Sequence, residues 1–292
     1  GVATEEREAF ALLSQDQLFL FTNSLYLEAA RKLSNPTNPT NNPIKCVEIS
    51  RENPLSKKLA KISQEEKIKR LGFEENDLTV AGFLKLKKEL RGIRLIPTKN
   101  RIEELRMIKR EDEIENIRQA AKITDECFDF ILGKIRPDVT ENEITWEIES
   151  FFHKRGAQSA FSPIVAFGTH TSQPHYTPNF IRPRLEIEAR QGEALKNQDI
   201  ALLDFGARVN GYCSDMTRIV FIGKPKDEWK RAYGVVSQAN HLATSELNDM
   251  FIALHATGQP AYHSGASLDR WIRGGIKRAG FPPYPHSLGH GV

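Results

Sequence analysis

Two aspartates, Asp204 and Asp215, lie on either side of an Asn-Gly dipeptide within a strand-rich run at residues 200–222. Asn-Gly between β-rich segments is a strong short-range signal for a hairpin, because a type I′ turn needs positive φ at both central residues. With Asn210 and Gly211 as the turn, counting outward makes the two aspartates diagonal neighbours on one face of the sheet. The spacing therefore predicts paired carboxylates, roughly 7–8 Å apart along the backbone and closer between side chains.

Carboxylates in this relation can jointly hold two metal ions about 3.5–4 Å apart. The same count places Asp204 opposite Thr217 and Asp215 opposite Gly206. The flanking residues are mostly apolar, and two like charges there would raise one carboxyl pKa unless cations neutralise them. The pair therefore indicates a metal site.

Two other interpretations of the aspartates stay open from the residues alone. Asp204 could pair with Arg208 or Arg218, and Asp215 could cap a turn. A shift of the hairpin register by one residue would place the two carboxylates on opposite faces. Metal binding is favoured because both aspartates fall on one face of a predicted buried hairpin.

Two histidines late in the chain, His286 and His290, could complete such a site. The proline and glycine residues around them disfavour a helix. In an extended segment, positions four apart still share a face, and neutral imidazole is a common metal ligand. A pair that stabilises a turn is the alternative interpretation.

His175 lies between Pro174 and Pro178 in the segment SQPHYTP. The two prolines predict a rigid extended loop that could hold the imidazole at the mouth of a pocket. The alternative is a loop histidine that is bonded to the backbone.

The elements that must position these side chains mix strands and helices. Strands are predicted within residues 9–22 (as two), 44–49, 160–167 and 200–222, and helices at about 24–33, 54–70, 79–91, 111–134, 140–156, 227–247 and 267–279. Thr140 and Glu143 form a capping-box pattern ahead of one of these helices. Hairpins rather than regular βαβ units favour an α+β fold. A first α/β domain ends near residue 98, and residues 34–43 are a loop rich in proline and asparagine.

Composition narrows the class of protein. The 292-residue chain has a net charge of +3, which gives no reason to expect a nucleic-acid partner. Lysine and arginine are frequent at residues 85–110, but interleaved acids favour a solvated helix face. Three widely spaced cysteines fit neither a disulfide framework nor a zinc site and suit a reducing cytosol. The chain starts at Gly1 and stops at Val292 without a closing element, so a fragment cut at both ends is expected.

Three segments together resemble the pita-bread metallopeptidases, in particular their aminopeptidase P and Xaa-Pro dipeptidase (prolidase) branch. They are LLDFGARVNGYCSDMTR, PHYTP and HSLGHGV. The run from Ile108 and the TENEI segment resemble the start of that family's catalytic domain, and residues 1–97 resemble its creatinase-type N-terminal domain. The resemblance implies an N-terminal domain at 1–98 and a pita-bread catalytic domain at 108–292.

The resemblance also assigns roles. It implies that Asp204 ligates one metal ion, that Asp215 bridges two, and that His290 ligates the second. His175 and His286 would contact the substrate and the tetrahedral intermediate. Two further glutamate ligands are expected downstream of the His-Gly motif. Manganese is the expected metal, with cobalt or zinc as alternatives, and a carboxylate-rich set with one imidazole suits manganese chemically.

The implied function is that of a cytoplasmic, metal-dependent exopeptidase that cleaves between an N-terminal residue and proline. Its partner would be a peptide with proline at the second position, with no nucleic acid or membrane, and a homodimer is allowed. Aminopeptidase P and dipeptidase both fit. A non-catalytic binding module of the same fold is the rival, and the three retained ligands disfavour it. The stretches at 178–198 and 248–267 are longer than the resemblance predicts and leave the substrate pocket undefined.

Overall fold

The computed structural model of the chain describes residues 9–33, 44–177, 192–257 and 264–291. The predicted loop at 34–43 lies outside these ranges, as do parts of the two long stretches after Pro178 and Asn248. The chain folds as two compact units, residues 1–108 and 109–292. Each unit has a hydrophobic core of its own.

The first unit contains a three-stranded sheet and a separate two-stranded sheet. Its strands are β1 (Ala9–Leu13), β2 (Leu18–Thr22), β3 (Ile44–Glu48), β4 (Arg70–Glu74) and β5 (Arg94–Thr98), and its helices are α1 (Leu27–Leu33), α2 (Leu55–Glu65), α3 (Val80–Glu89) and α4 (Arg101–Met107). β1 and β2 pair antiparallel as predicted, and the turn closes where the Ser14 N–H donates to the Gln17 carbonyl (2.9 Å). The buried core of this unit includes Phe19, Phe21, Leu59 and Leu90.

The α+β class is confirmed, but the first unit is not built from hairpins alone. β2 and β3 pair in parallel, as do β4 and β5, so the unit contains βαβ connections through α1 and α3. The helix predicted at 54–70 ends at Glu65, and β4 was missed. Lys67 takes a φ of +53°, which reverses the chain between helix and strand. Residues 99–107, which lie outside both predicted domains, belong to this unit and contain α4, and so does Ile108, which the prediction placed in the second domain.

Two helices open the second unit, α5 (Glu111–Leu132) and α6 (Glu141–Lys154), close to their predicted bounds. The predicted capping box is present, because the Thr140 N–H donates to Glu143 Oε2 (2.8 Å) and the Glu143 N–H donates to Thr140 Oγ1 (3.2 Å). The inner faces of the helices pack on the strands of the unit. The shared cluster includes Cys127, Ile131, Ile144, Ile148, Phe152, Leu203 and Phe205.

Two small antiparallel sheets carry the candidate site. Their strands are β6 (Gln158–Ser159), β7 (Ile164–Phe167), β8 (Ile200–Phe205), β9 (Ala207–Val209), β10 (Tyr212–Cys213) and β11 (Met216–Phe221). One sheet has the order β11-β8-β7 and the other β10-β9-β6. A short 3-10 helix, Gly168–Ser172, follows β7.

The predicted turn is confirmed. Asn210 and Gly211 have φ values of +50° and +88°, as a type I′ turn requires. Val209 pairs with Tyr212 across the turn. The Tyr212 hydroxyl donates to Glu113 Oε1 (2.8 Å), which ties the hairpin to α5.

The predicted register is also confirmed, since Asp204 pairs with Thr217. However, residues 200–222 are not one continuous hairpin. The ladder is interrupted at Gly206 and at Ser214–Asp215, so that β8 and β11 lie in one sheet while β9 and β10 lie in the other. Asp215 therefore lies between two strands rather than within one.

The last described helices are α7 (Asp227–Thr257) and α8 (Gly265–Arg278). α7 continues beyond its predicted end at residue 247, and α8 is followed by Gly280 with a φ of +85°, as the predicted stop implies. Their contact contains the buried residues Ala243, Leu268, Ile272 and Ile276. Among the described residues, no helix is both long enough and apolar enough to cross a bilayer.

Candidate metal centre

Asp204 lies near the end of β8, between Ile164 on β7 and Thr217 on β11. Strand alternation directs its neighbours Leu203 and Phe205 into the core and leaves Asp204 half-buried on the other face. Its Oδ1 atom is buried and has no hydrogen-bond partner among the described residues. A buried carboxylate oxygen without a donor is costly, which favours a cation at this position.

Electrostatics support the same conclusion. Burial raises the pKa of the Asp204 carboxyl, and the negative charge of Asp215 raises it further. A hydrogen bond from Thr217 and the positive charge of His175 act in the opposite direction. The two aspartates are thus close enough to repel each other, and His175 is close enough to Asp204 for their charges to interact.

Asp215 is held by a buried network around the preceding residue, Ser214. The hydroxyl oxygens of Ser214 and Thr124 are 2.7 Å apart, and the Ala207 N–H donates to both of them at 3.0 Å. The Ser214 N–H donates to the Ala207 carbonyl (2.9 Å). α5 therefore helps to fix the chain directly before Asp215.

His290 lies beside Asp215, with 3.3 Å between its Nε2 atom and Asp215 Oδ2. Its Nδ1 atom is 3.0 Å from the Gly291 carbonyl. A carbonyl can only accept, so Nδ1 carries the hydrogen, and in neutral imidazole Nε2 presents its lone pair to the carboxylate. Two lone pairs at this distance need a proton or a metal ion between them. Ligand atoms about 2.1 Å from one ion lie roughly 3.0–3.4 Å apart, which agrees with the observed separation.

His286 is fixed in a similar way but is not joined to the aspartates. Its Nδ1 donates to the Ser287 carbonyl (2.6 Å), and its ring stacks on Tyr284 with centroids 4.9 Å apart. Arg273, paired with Asp269 at 2.7 Å, donates to the carbonyls of Tyr284 and His286. Within the described residues, no hydrogen bond or ion pair connects the His286 side chain to either aspartate of the candidate site.

The prediction of an extended loop at His175 is wrong. His175 is exposed and has a φ of +59°, in the left-handed region, and it follows the 3-10 helix as part of a turn. The Tyr176 N–H donates to the Gln173 carbonyl (3.2 Å) and closes that turn. Pro174 restricts its own φ but not that of the residue after it, and histidine is among the residues that tolerate positive φ.

The predicted ligands are brought together in part. Contacts run from Asp204 to Asp215 and from Asp215 to His290, but across the described ranges no three His, Cys, Asp or Glu side chains converge as a metal-binding group. The donor chemistry nevertheless fits a divalent ion, because two neighbouring carboxylates, one of which has a buried oxygen without a hydrogen-bond partner among the described residues, and one oriented imidazole are ligand types that such ions bind.

Two residues around the site were not singled out by sequence reasoning. Glu141, which is not part of the predicted capping box, is completely buried. His170, which had no distinguishing context, lies with Nδ1 2.8 Å from Glu141 Oε1. Neither position has a local signal that distinguishes it from ordinary surface residues, because the contacts come from segments distant in sequence.

Replacing Asp204 by asparagine is expected to raise the thermal unfolding midpoint of the metal-free protein at neutral pH, by roughly 2–4 °C. Burial and the Asp215 charge raise the pKa of Asp204 above its ordinary value of 3.8, so the folded state binds this proton more tightly than the unfolded state. The contribution of Asp204 to stability is therefore present below pH 3.8 and is lost as the pH rises through the folded-state pKa.

Circular-dichroism melts with a chelator, at neutral pH and below pH 3.8, check this prediction. The increase in the unfolding midpoint should be present at neutral pH and absent in acid. Asp199→Asn is the control, because the Asp199 carboxylate accepts from the Ile200 N–H (2.9 Å) and an amide oxygen can do the same. A lower midpoint for the chelated Asp204 variant at neutral pH would contradict the repulsion between the two carboxylates.

Two family models match the sequence. The model described as Creatinase/Prolidase N-terminal domain matches residues 1–108, and the model described as Metallopeptidase family M24 matches residues 115–292. The resemblance inferred from the motifs is thereby confirmed.

Solved structures agree with this result. An Xaa-Pro dipeptidase from Bacillus anthracis has a TM-score of 0.76 and 31% identity, over 98% of this chain and 71% of that one. An X-Pro aminopeptidase from Thermotoga maritima MSB8 has a TM-score of 0.69 and 28% identity, over 93% of this chain and 68% of that one.

A curated relative, the uncharacterized peptidase YqhT of Bacillus subtilis (strain 168), is 34% identical over 227 residues. The match covers 77% of this chain and 58% of YqhT, so this chain spans somewhat more than half of that relative. On the match over residues 115–292, supported by these similarities, the chain belongs to metallopeptidase family M24.

Proposed function

We propose that the protein is a metal-dependent exopeptidase that hydrolyses the peptide bond between an N-terminal residue and proline. The observation that carries the proposal is the paired Asp204 and Asp215, with the Nε2 atom of His290 at 3.3 Å from Asp215, in a chain of family M24. The preference for proline is supported by two similar structures, those of the Xaa-Pro dipeptidase from Bacillus anthracis and the X-Pro aminopeptidase from Thermotoga maritima MSB8.

Asp204, Asp215 and His290 would hold two divalent ions. When bound, such ions lower the pKa of water and polarise the scissile carbonyl. The Nδ1–H bond of His290 to the Gly291 carbonyl keeps its Nε2 lone pair directed at the site. The half-buried face around Asp204 limits hydration of its carboxylate, which strengthens its attraction for a cation.

His175 and His286 would act on the substrate. His175 lies on an exposed turn within electrostatic range of Asp204, where a ring N–H can donate to the carbonyl oxygen that becomes negative. His286 commits Nδ1 to the Ser287 carbonyl, which leaves Nε2 to exchange a hydrogen bond with the peptide.

Several finer assignments stay predictions. They are the domain limits 1–98 and 108–292, manganese ahead of cobalt or zinc, a homodimer, a cytoplasmic location, and a peptide substrate with proline second. Manganese rests on the carboxylate-rich donor set, and the cytoplasmic location rests on cysteine usage.

Peptide hydrolysis by the complete gene product tests the proposal. After chelation and reloading with manganese, cobalt or zinc, the enzyme should cleave Xaa-Pro peptides and spare matched Xaa-Ala peptides. Cleavage of dipeptides alone indicates a dipeptidase, and cleavage of Xaa-Pro tripeptides indicates an aminopeptidase. Equal cleavage of Xaa-Ala peptides would refute the proline preference, and the absence of any metal-dependent hydrolysis would favour the non-catalytic binding module.

A further inference from the structure

Glu141 is a buried acid without a buried counter-charge on its own helix. It is the first residue of α6, and its side chain has no solvent exposure. Glutamate is almost never fully buried unless it is paired or fully hydrogen-bonded. The positive end of the helix dipole favours an anion at this position, but helix capping does not require it, because Glu143 already closes the capping box with Thr140.

Four donors from distant segments satisfy the Glu141 carboxylate. Oε1 accepts from the Phe167 N–H and from His170 Nδ1, each at 2.8 Å. Oε2 accepts from the Tyr176 hydroxyl (2.8 Å) and from the Glu193 N–H (2.9 Å). Because every partner donates, an ionised carboxylate, which only accepts, suits this position better than an amide would.

The backbone leaves space for this carboxylate. Gly192 has a φ of +74°, and a Cβ added there would lie 2.8 Å from Glu141 Oε2. The backbone at Gly192 and Glu193 can therefore approach the carboxylate closely only because residue 192 has no side chain.

Tyr176 links this network to the turn that carries His175. The Tyr176 ring stacks on His170 with centroids 4.4 Å apart, so the turn is held both by a hydrogen bond and by ring contact. Burial and the hydrogen bond to Glu141 raise the pKa of the Tyr176 phenol, which keeps it protonated as a donor. His175 itself has a left-handed φ of +59°, and its side chain makes no hydrogen bond among the described residues. Its location therefore depends on its neighbours.

We infer that Glu141 is a positioning residue, whose carboxylate holds the Tyr176 end of the turn and thereby presents His175 to the aspartate pair. The role in catalysis rests on the proposed function, whereas the role in placing His175 does not. Glu141 acts through Tyr176 and His175 and touches neither the aspartates nor His290 through any hydrogen bond in the described chain.

Glu141→Gln tests the inference, with Glu143→Gln as its matched control. Both changes remove one acid from the first turn of α6, but only Glu141 contacts the turn of His175. For Glu141→Gln we expect kcat/KM on an Xaa-Pro substrate to fall about 10- to 100-fold, chiefly through kcat, with bound metal unchanged. Glu143→Gln should stay within about threefold of the wild type. Equal kinetics for the two variants would overturn the inference.

A double variant distinguishes positioning from a general loss of structure. If Glu141 acts through His175, then Glu141→Gln combined with His175→Ala should be no slower than His175→Ala alone. Multiplication of the two losses would show that Glu141 acts by another route and would refute the role assigned here.

A spectroscopic readout separates this inference from the proposed function. In histidine-labelled complete protein, Glu141→Gln should shift the His175 and His170 ring resonances, whereas Glu143→Gln should leave them in place. Tyr176→Phe removes only the hydrogen bond of the hydroxyl to Glu141, and it should also shift the His175 ring resonances. This variant takes the place of Glu141→Gln in the test if Glu141→Gln does not fold. If the wild type is inactive but these shifts occur, the proposed function is refuted and the positioning role of Glu141 stands. If the enzyme is active but the His175 signal does not move, only the positioning role of Glu141 is refuted.

Discussion

Replacing Asp215 by asparagine is expected to lower kcat/KM of the complete protein by more than about 100-fold, since loss of a residue that merely supports a metal ligand already costs 10- to 100-fold. The Asp215 carboxylate stands between Asp204, whose pKa it raises, and the Nε2 atom of His290 at 3.3 Å. An amide would present a neutral oxygen and an N–H group, and neither would replace the anion with which Asp215 would hold divalent ions. Bound metal should fall together with activity.

Elemental analysis and steady-state kinetics on the same preparation measure both effects. Asp199→Asn is the control, because it makes the same chemical change just before β8 at a carboxylate that accepts from the Ile200 N–H. It should keep its metal and its activity. Normal metal content and normal activity in the Asp215 variant would remove the basis of the proposed centre, whereas a metal-free but folded variant would support it.

The geometry of the aspartate pair was accessible from sequence because it is local. A type I′ turn at Asn210 and Gly211 fixes the pairing of Val209 with Tyr212, and the two-residue period of a strand then fixes every pair outward. This is why Asp204 was correctly placed opposite Thr217. The capping box at the start of α6 was predictable for the same reason.

Features that depend on contacts between distant segments could not be predicted from the sequence. The parallel pairing of β4 with β5 requires a crossover through α3, and a five-residue strand with alternating exposure has little pattern of its own. The burial of Glu141 comes from donors 26 to 52 residues away along the chain. His175 was predicted as extended because prolines flank it, yet the fold places it in a left-handed turn.

The ligand set lies between these cases. Asp204 and Asp215 share one hairpin, so their proximity follows from local rules, but His290 arrives from beyond α8 and no periodicity predicts its contact with Asp215. The residues alone offered either His286 or His290 to complete the aspartate site, and only the resemblance to known metallopeptidases selected His290 as the ligand. In the folded chain Asp215 contacts both Asp204 and His290, but among the described residues the three do not form a closed cluster. Joint metal binding by the two aspartates therefore depends on the distance between them along the hairpin.

That spacing depends on the close approach of two backbones at Gly206. A Cβ at this position would lie 1.8 Å from the Ser214 carbonyl oxygen and 3.3 Å from the Asp215 Cα. Backbone atoms cannot rotate away as a flexible side chain can, so Gly206→Ala must push the two segments apart. We expect this variant to lose about 3 kcal/mol or more of unfolding free energy, the upper end of overpacking costs, and to lose bound metal because Asp215 moves relative to Asp204.

Gly234→Ala is the control, and its expected change in unfolding free energy has the opposite sign to that of Gly206→Ala. Gly234 lies on α7, a Cβ there would meet no atom within 4 Å, and alanine in a helix should add up to about 1 kcal/mol to the unfolding free energy. Urea denaturation and metal analysis of both variants measure the difference. Wild-type stability together with normal bound metal in Gly206→Ala would show that the segments are not in contact at this point. Wild-type stability with lost metal would instead mean that the backbone shifts only at Asp215. The close approach of the two segments at Gly206 would then set the distance between the two carboxylates.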